Sequence, residues 1–171
     1  MFVHEIINAT KHINGQVYIG EGSFAQYHCS YNPPTAQEKI IGFESIYSVT
    51  VPEDYVNFLL VSNGMQFYEA GDFSFYSLQQ IEVILKTMKE ASVPYKDGIF
   101  PIAYVLGDYI VIKSDAIASG KYIYAGSCYC RDEYFSLECN FETFFDRCII
   151  TNLCNYWRWL APVELFDFIG D

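Results

Sequence analysis

Apolar residues recur at spacings of three and four in four segments of the chain, and this period predicts four amphipathic helices. The apolar stripes are Ile40, Phe43 and Tyr47; Tyr55, Phe58 and Leu59; Leu78, Ile81, Leu85 and Met88; and Phe141, Phe144, Phe145 and Cys148. Because each stripe covers one side of a helix, we expect each helix to dock that side on a shared core.

Residues that favour the first or last positions of a helix support the predicted bounds of these helices. Pro52 is typical of a first helical position, and the two acidic residues after it suit the positive end of the helix dipole. Ser77 and Gln80 have the spacing of a capping box, and Asn140 is a typical N-cap. Asn63-Gly64 adopts the left-handed conformation cheaply, which predicts the end of the second helix there.

Strands are predicted where aromatic and β-branched residues crowd between turn residues. The segments are NGQVYIGEGSF, MQFYEAGDFSFYSL, FPIAYVLGDYIVIKSD, GKYIYAGSCYC and DEYFSLE. The first segment indicates a strand or hairpin after a short N-terminal helix, and the second indicates two short strands or an ordered loop. The third indicates two strands joined through Leu106-Gly107-Asp108. Helices, a run of antiparallel strands and a further helix are typical of an α+β fold.

Composition and charge narrow the class of partner. The chain has 171 residues, of which 51% are hydrophobic and 18% aromatic, so we expect a densely packed globular protein with one domain over residues 1–171. Its formal net charge is −11, which repels nucleic-acid phosphates and anionic lipids and attracts cationic partners. Acidity also keeps an aromatic-rich protein soluble, and this simpler explanation stays open.

The sequence contains no segment typical of export or of a membrane span. The N-terminus lacks a basic region followed by a continuous apolar run, and no segment approaches the ~20 apolar residues that cross a bilayer. We therefore expect a cytoplasmic protein that does not bind membranes. Its six cysteines are then expected to be buried, reduced thiols.

A search for chemistry yields no catalytic constellation. Cys128 and Cys130 form C-x-C, without the paired C-x2-C spacing of a structural zinc site. An activated thiolate needs a base and an electropositive setting, whereas all three histidines lie in the first 30 residues and basic residues are few. The segment GEGSFAQ lacks the lysine of a phosphate loop, and YWRWL is better explained by core packing than by stacking on a nucleobase or sugar. We predict no catalytic residue, metal or cofactor.

Several of these segments together resemble the SUKH superfamily of Smi/Knr-type domains. VPEDYVNFLLVSNG matches its hallmark segment, and FYSLQQI, FPIAYVLGDYIVI and NFETFFDRCI follow in the family's order. Upstream, Ile40 and Glu44 fall where the family carries an apolar residue and a glutamate. The recognisable core covers about residues 35–150, and YAGSCYC departs from the Trp or His-Asp segment of many members.

The resemblance implies an α+β domain with helices packed against a mixed, mainly antiparallel sheet. Many bacterial members bind and neutralise a toxin domain, often a nuclease, and others are regulatory or scaffold modules without a toxin partner. We therefore predict an immunity protein whose partner is a cationic toxin domain, with the regulatory module as the alternative and a cysteine or carboxylate enzyme as a third.

The expected contact surface consists of exposed acids outside helix starts, with aromatic anchors nearby. These residues are Glu69, Asp72, Phe73, Asp108, Tyr109, Asp132 and Glu133.

Overall fold

The structure is a computed structural model that describes most of the sequence. The described residues are 5, 7, 16–20, 24–67, 73–90, 98–127, 134–151 and 155–160. Within these ranges, no helix combines the length and the apolar character that crossing a membrane requires.

An antiparallel sheet of eight strands forms one layer of the described structure. Its strands are β1 (Gln16–Gly20), β2 (Phe24–Tyr31), β3 (Met65–Phe67), β4 (Phe73–Phe75), β5 (Ile99–Val105), β6 (Asp108–Lys113), β7 (Ile123–Ser127) and β8 (Phe135–Ser136). Each strand pairs with its neighbour in sequence, and every described pairing is antiparallel. The predicted N-terminal hairpin and the predicted strands within 65–78 are confirmed.

Four α-helices whose bounds are described and two 3-10 turns accompany the sheet, and Glu5 and Ile7 are also helical. The four helices are α1 (Gln37–Tyr47), α2 (Glu53–Val61), α3 (Leu78–Glu90) and α4 (Phe141–Ile150), with 3-10 turns at Ser114–Ser119 and Tyr156–Leu160. The α+β fold and all four helices predicted from apolar spacing are confirmed. Pro52 precedes the first helical residue, and its carbonyl accepts the first hydrogen bonds of α2.

The predicted caps of α3 and α4 are present. The Gln80 N–H donates to Ser77 Oγ at 3.2 Å and the Ser77 N–H donates to Gln80 Oε1 at 2.8 Å, which is the reciprocal capping box. The Asn140 side chain accepts the Thr143 N–H at 2.9 Å. By contrast, α2 ends at Val61, and Gly64 lies beyond the helix, in the turn that enters β3.

Phenylalanine rings dominate the core between the sheet and the helices. Phe58 on α2 lies 5.6 Å from Phe75 on β4 and 5.2 and 5.7 Å from Phe141 and Phe145 on α4, measured between ring centroids. All four side chains are buried, and the Phe58 ring is tilted by 53–55° relative to each of the other three. The spacing of apolar residues in α2 and α4 therefore positions these two helices against the same part of the sheet.

A two-residue turn connects β5 and β6. Leu106 has φ +47° and Gly107 has φ +97°, so both central residues lie in the left-handed region. Such turns match the right-handed twist of the flanking strands, which explains the tight connection. A leucine at positive φ is uncommon, and its side chain is exposed at the tip of the hairpin.

The second 3-10 turn packs on the start of β6 through the buried carboxylate of Asp108. Asp108 accepts the Trp157 indole N–H at 2.8 Å, and two nitrogens of Arg158 donate to it at 3.0 and 2.8 Å. The Trp157 ring packs 5.8 Å from Phe144. We call Asp108, Trp157 and Arg158 the C-terminal clasp; it attaches the end of the described chain to the sheet.

Candidate functional site

Asp54, the acidic residue of the hallmark segment, joins three elements of the fold. Its Oδ2 accepts the Glu142 N–H at 3.0 Å, and its Oδ1 accepts the Tyr55 N–H at 2.9 Å and the Tyr122 hydroxyl. The Tyr122 oxygen in turn accepts the Phe141 N–H at 3.2 Å. Burial and the hydrogen bond to Asp54 raise the pKa of Tyr122, so its hydroxyl stays protonated at neutral pH. Asp54 therefore caps the N-terminus of α4 across the domain.

Asn63 performs the same task for α3. Its Oδ1 accepts the Leu78 N–H at 2.9 Å, and its Nδ2 donates to Gln79 Oε1 at 2.9 Å. Its backbone carbonyl accepts the side-chain amide of Asn32, also at 2.9 Å. Both polar ends of this side chain are thus used inside the protein.

Gly64 and Glu44 complete the hallmark set, and they too act within the fold. A Cβ on Gly64 would lie 2.6–2.8 Å from backbone atoms of residues 75–77, and its φ of +86° further favours glycine. Glu44 Oε1 accepts the Val51 N–H at 2.8 Å, which fixes the connection between α1 and α2. The hallmark residues therefore specify the fold and form no reactive centre among the described residues.

Tyr55 and Tyr122 offer a matched test of this account. The buried Tyr55 hydroxyl has no hydrogen-bond partner in the described structure, whereas the Tyr122 hydroxyl has two. Tyr55→Phe should raise the free energy of unfolding by about 1 kcal/mol, because it removes a buried polar group that lacks a partner. Tyr122→Phe should lower it by about 1–2 kcal/mol. Urea unfolding of both variants measures whether the free energy of unfolding rises or falls. Equal changes in the two variants would contradict the hydrogen-bond partners assigned to the two hydroxyls.

The predicted contact residues divide into described and undescribed ones. Phe73 is fully buried in the core, 5.1 Å from Phe67 between ring centroids, so its prediction as an exposed anchor is wrong. It faces the inner side of the sheet because strand residues alternate between faces, and Phe75 shares that side. Four of the predicted acids lie outside the described residues: Glu69, Asp72, Asp132 and Glu133.

Asp108 is also wrongly predicted as an exposed acid, since only 5% of the residue is accessible. It pairs with Val105 on the inner side of the sheet, where the C-terminal clasp covers it. The hydrogen bond to Asp108 raises the pKa of Arg158, so the guanidinium group stays charged. The Asp108 carboxylate is therefore used in a contact within the protein.

Tyr109 follows on the outer side of the sheet and is half-buried. Its ring lies 5.4 Å from Tyr104 on the neighbouring strand, in an edge-to-face arrangement. Its role in partner binding stays a prediction.

The described cysteines are not activated nucleophiles. Burial raises the pKa of Cys29 and of Cys139 to about 11, and burial also raises the pKa of Cys148, so these thiols are protonated at neutral pH. Cys128 and Cys130 lie outside the described residues. Within the described ranges, no three His, Cys, Asp or Glu side chains gather in a metal-binding arrangement.

The outward sides of α2 and α4 form a surface that the sequence did not single out. The two helices start side by side, because Asp54 binds the Glu142 N–H, and they run in the same direction, because Tyr55 packs on Phe141 and Phe58 on Phe145. We call this surface the α2–α4 face; its residues are Glu53, Asn57, Leu60, Glu142, Asp146 and Ile150.

The α2–α4 face combines acidic and apolar side chains. Glu53 and Glu142 lie in the first turns of their helices and Asp146 lies midway along α4, whereas Leu60 and Ile150 lie toward the helix ends. Ile150 is 69% exposed, which is high for an aliphatic side chain. Helical periodicity could have identified this face, because these positions lie opposite the buried stripes of their helices.

Comparisons with known proteins identify the family. The chain matches the SMI1/KNR4 family (SUKH-1) over residues 34–147, which is more than half of its length. The protein belongs to this family. This confirms the resemblance based on the hallmark segment, and the SUKH-1 region contains α1 to α3, β3 to β8 and most of α4.

Two relatives in Bacillus subtilis (strain 168) are similar to most of this SUKH-1 protein. The uncharacterised protein YobM is 29% identical over 177 residues, which covers 92% of both chains. The uncharacterised protein YnaB is 27% identical over 136 residues, which covers 78% of this chain and 88% of that protein. The similarity to YobM extends well beyond the 34–147 family region.

Proposed function

We propose that this protein is a cytoplasmic immunity protein that binds a cognate bacterial toxin domain and blocks it stoichiometrically, without catalysis or a cofactor. The observation that carries the proposal is the internal use of the hallmark polar groups. Asp54, Asn63 and Glu44 all accept hydrogen bonds from backbone N–H groups of neighbouring elements. With these groups used inside the fold, the outer surface of the described residues is available to contact a partner, which suits a protein that acts by binding.

Charge supports a cationic partner. The net charge of −11 creates a field that accelerates association with a basic surface. Nuclease domains need such surfaces to hold phosphates, so an acidic protein that covers one competes directly with the substrate. We therefore infer a nuclease domain as the partner.

The α2–α4 face is a described surface that suits such a partner. Its acids supply charge complementarity to a basic surface, while Leu60 and Ile150 supply apolar area that a partner would bury. Both helices are anchored by buried aromatic rings, so the face requires little rearrangement on binding.

Co-expression is the direct test. A toxin domain encoded beside this gene should arrest growth alone, and growth should be restored when this protein is produced with it. The two proteins should co-purify in a 1:1 complex whose affinity falls as ionic strength rises. Unrestored growth, or affinity that ignores salt, would contradict the proposal and favour a regulatory interaction domain.

Paired variants test the proposed surface. Asp146→Lys with Ile150→Ser should weaken toxin binding about tenfold or more, because it reverses one charge and removes one exposed apolar side chain from the α2–α4 face. Glu90→Lys with Val83→Ser makes the corresponding changes on α3, an acid to lysine and an exposed aliphatic residue to serine. Val83 is 64% exposed, and this variant should change the affinity for the toxin by less than about twofold. Isothermal calorimetry with the purified toxin measures both. Equal losses in the two variants would exclude the α2–α4 face.

A further inference from the structure

The outward side of α1 carries exposed aliphatic side chains and uses none of the residues of the α2–α4 face. We call this side the α1 face; its residues are Glu38, Lys39, Ile41, Gly42, Ser45 and Ile46. Helical geometry places these positions away from Ile40 and Phe43, the buried residues of the helix. Ile46 is 71% exposed and Ile41 is 55% exposed, so two isoleucines of one 11-residue helix lie in solvent.

Gly42 lies in the middle of the α1 face, and no contact in the described structure requires a glycine there. A Cβ at Gly42 would meet no atom of another element within 4 Å, whereas a Cβ at Gly64 would lie 2.6–2.8 Å from backbone atoms. Glycine inside a helix is destabilising relative to alanine. The absent side chain is useful where the backbone of a second helix approaches closely, and such a helix would lie outside this chain.

The charge of the α1 face favours a second copy of this chain over the cationic partner of the α2–α4 face. The charges of Glu38 and Lys39 sum to zero, and Glu44, the remaining acid of the helix, accepts the Val51 N–H. Two copies with a net charge of −11 each repel one another. A neutral face with exposed aliphatic side chains lets them meet with the least local repulsion.

We propose that two copies of this protein pair through the α1 face, with the two α1 helices crossing at Gly42 on a twofold axis. Such an axis brings the same surface of both copies together, so Ile41 and Ile46 of each copy are covered at once. A helix of 11 residues is about 16 Å long, so one helix pair buries less area than a stable complex needs. We therefore expect a weak dimer with a Kd of about 0.1 mM.

Sedimentation velocity of the purified full chain, from roughly tenfold below to tenfold above that Kd, tests the proposal. The weight-average sedimentation coefficient should rise from the monomer value toward the dimer value. Higher ionic strength should strengthen the pairing, because salt screens the repulsion between the two acidic copies. A coefficient that stays at the monomer value, or pairing that weakens as salt is added, would overturn the proposal.

Gly42→Ala should change folding and pairing in opposite directions. The new methyl group meets no other element and favours the helix, so the thermal midpoint of the monomer should rise by about 2–4 °C. The same methyl group, present twice at the crossing point, should weaken pairing about tenfold. A variant with a higher midpoint and unchanged pairing would exclude Gly42 from the contact and overturn the proposed crossing.

Two serine variants separate the α1 face from exposed aliphatic residues in general. Ile46→Ser should weaken pairing about tenfold, because it removes one apolar side chain from each half of the contact. Leu106→Ser is the control and should leave pairing unchanged. Leu106 is also exposed, but it lies at the opposite end of β5 from Phe100, on which Phe43 of α1 packs. Equal losses in the two variants would overturn the α1 face as the contact.

Discussion

Replacing Asp54 by alanine should lower the free energy of unfolding by about 3 kcal/mol. The carboxylate accepts hydrogen bonds from the Glu142 N–H, the Tyr55 N–H and the Tyr122 hydroxyl. Alanine leaves the Glu142 N–H and the Tyr122 hydroxyl without this acceptor, while the Tyr55 N–H keeps the Pro52 carbonyl. The change also removes a negative charge from the starts of two helices, α2 and α4. Urea unfolding followed by circular dichroism measures the loss.

Glu53→Ala is the matched control, because it removes the neighbouring carboxylate from the same helix start. Glu53 is exposed, so its loss should cost less than about 1 kcal/mol, the value of a surface charge at a helix N-terminus. If Asp54→Ala does not fold, Asp54→Asn keeps one acceptor and should show an intermediate loss. Similar losses for Asp54→Ala and Glu53→Ala would contradict the capping role.

Replacing Asp108 by alanine should cost about 3 kcal/mol and detach the C-terminal clasp. The change leaves the indole N–H of the buried Trp157 without an acceptor and removes both hydrogen bonds of Arg158. Because Trp157 packs on Phe144, we expect altered tryptophan fluorescence together with the lower unfolding midpoint. Asp115→Ala is the control. It removes an exposed carboxylate and should change stability by less than about 0.5 kcal/mol.

Asp108→Asn distinguishes hydrogen bonding from charge in the clasp. Asparagine keeps an oxygen that can accept the Trp157 N–H but loses the ion pair with Arg158. We therefore expect roughly half of the loss seen with alanine. A loss as large as that of Asp108→Ala would show that the charge pair, rather than the indole hydrogen bond, carries the stability.

Local sequence signals predicted the helices and their caps because the forces that set them are local. The capping box of Ser77 and Gln80 needs only three residues of helix geometry, and the apolar stripe of α4 follows directly from its period. The antiparallel sheet was likewise predictable, since each strand pairs with its neighbour in sequence.

The contact residues were harder to predict because exposure depends on distant parts of the chain. Asp108 follows a Gly in a turn and has every local mark of an exposed acid, yet it is covered by residues 49 and 50 positions later. Phe73 starts a three-residue strand, too short for alternation to reveal which face is buried. The contact of Asp54 with the start of α4 was equally hard to predict from local sequence, since its partner Glu142 is 88 positions away in the chain.

The order of the strands has a consequence for how this protein is made. As the chain leaves the ribosome, each strand of the sheet meets a neighbour that has already been synthesised, so the sheet can grow one strand at a time. Trp157, however, is translated 49 residues after Asp108. Until then the Asp108 carboxylate, on the inner side of the sheet, remains hydrated. The Asp108 charge is therefore buried only after all eight described strands have been synthesised.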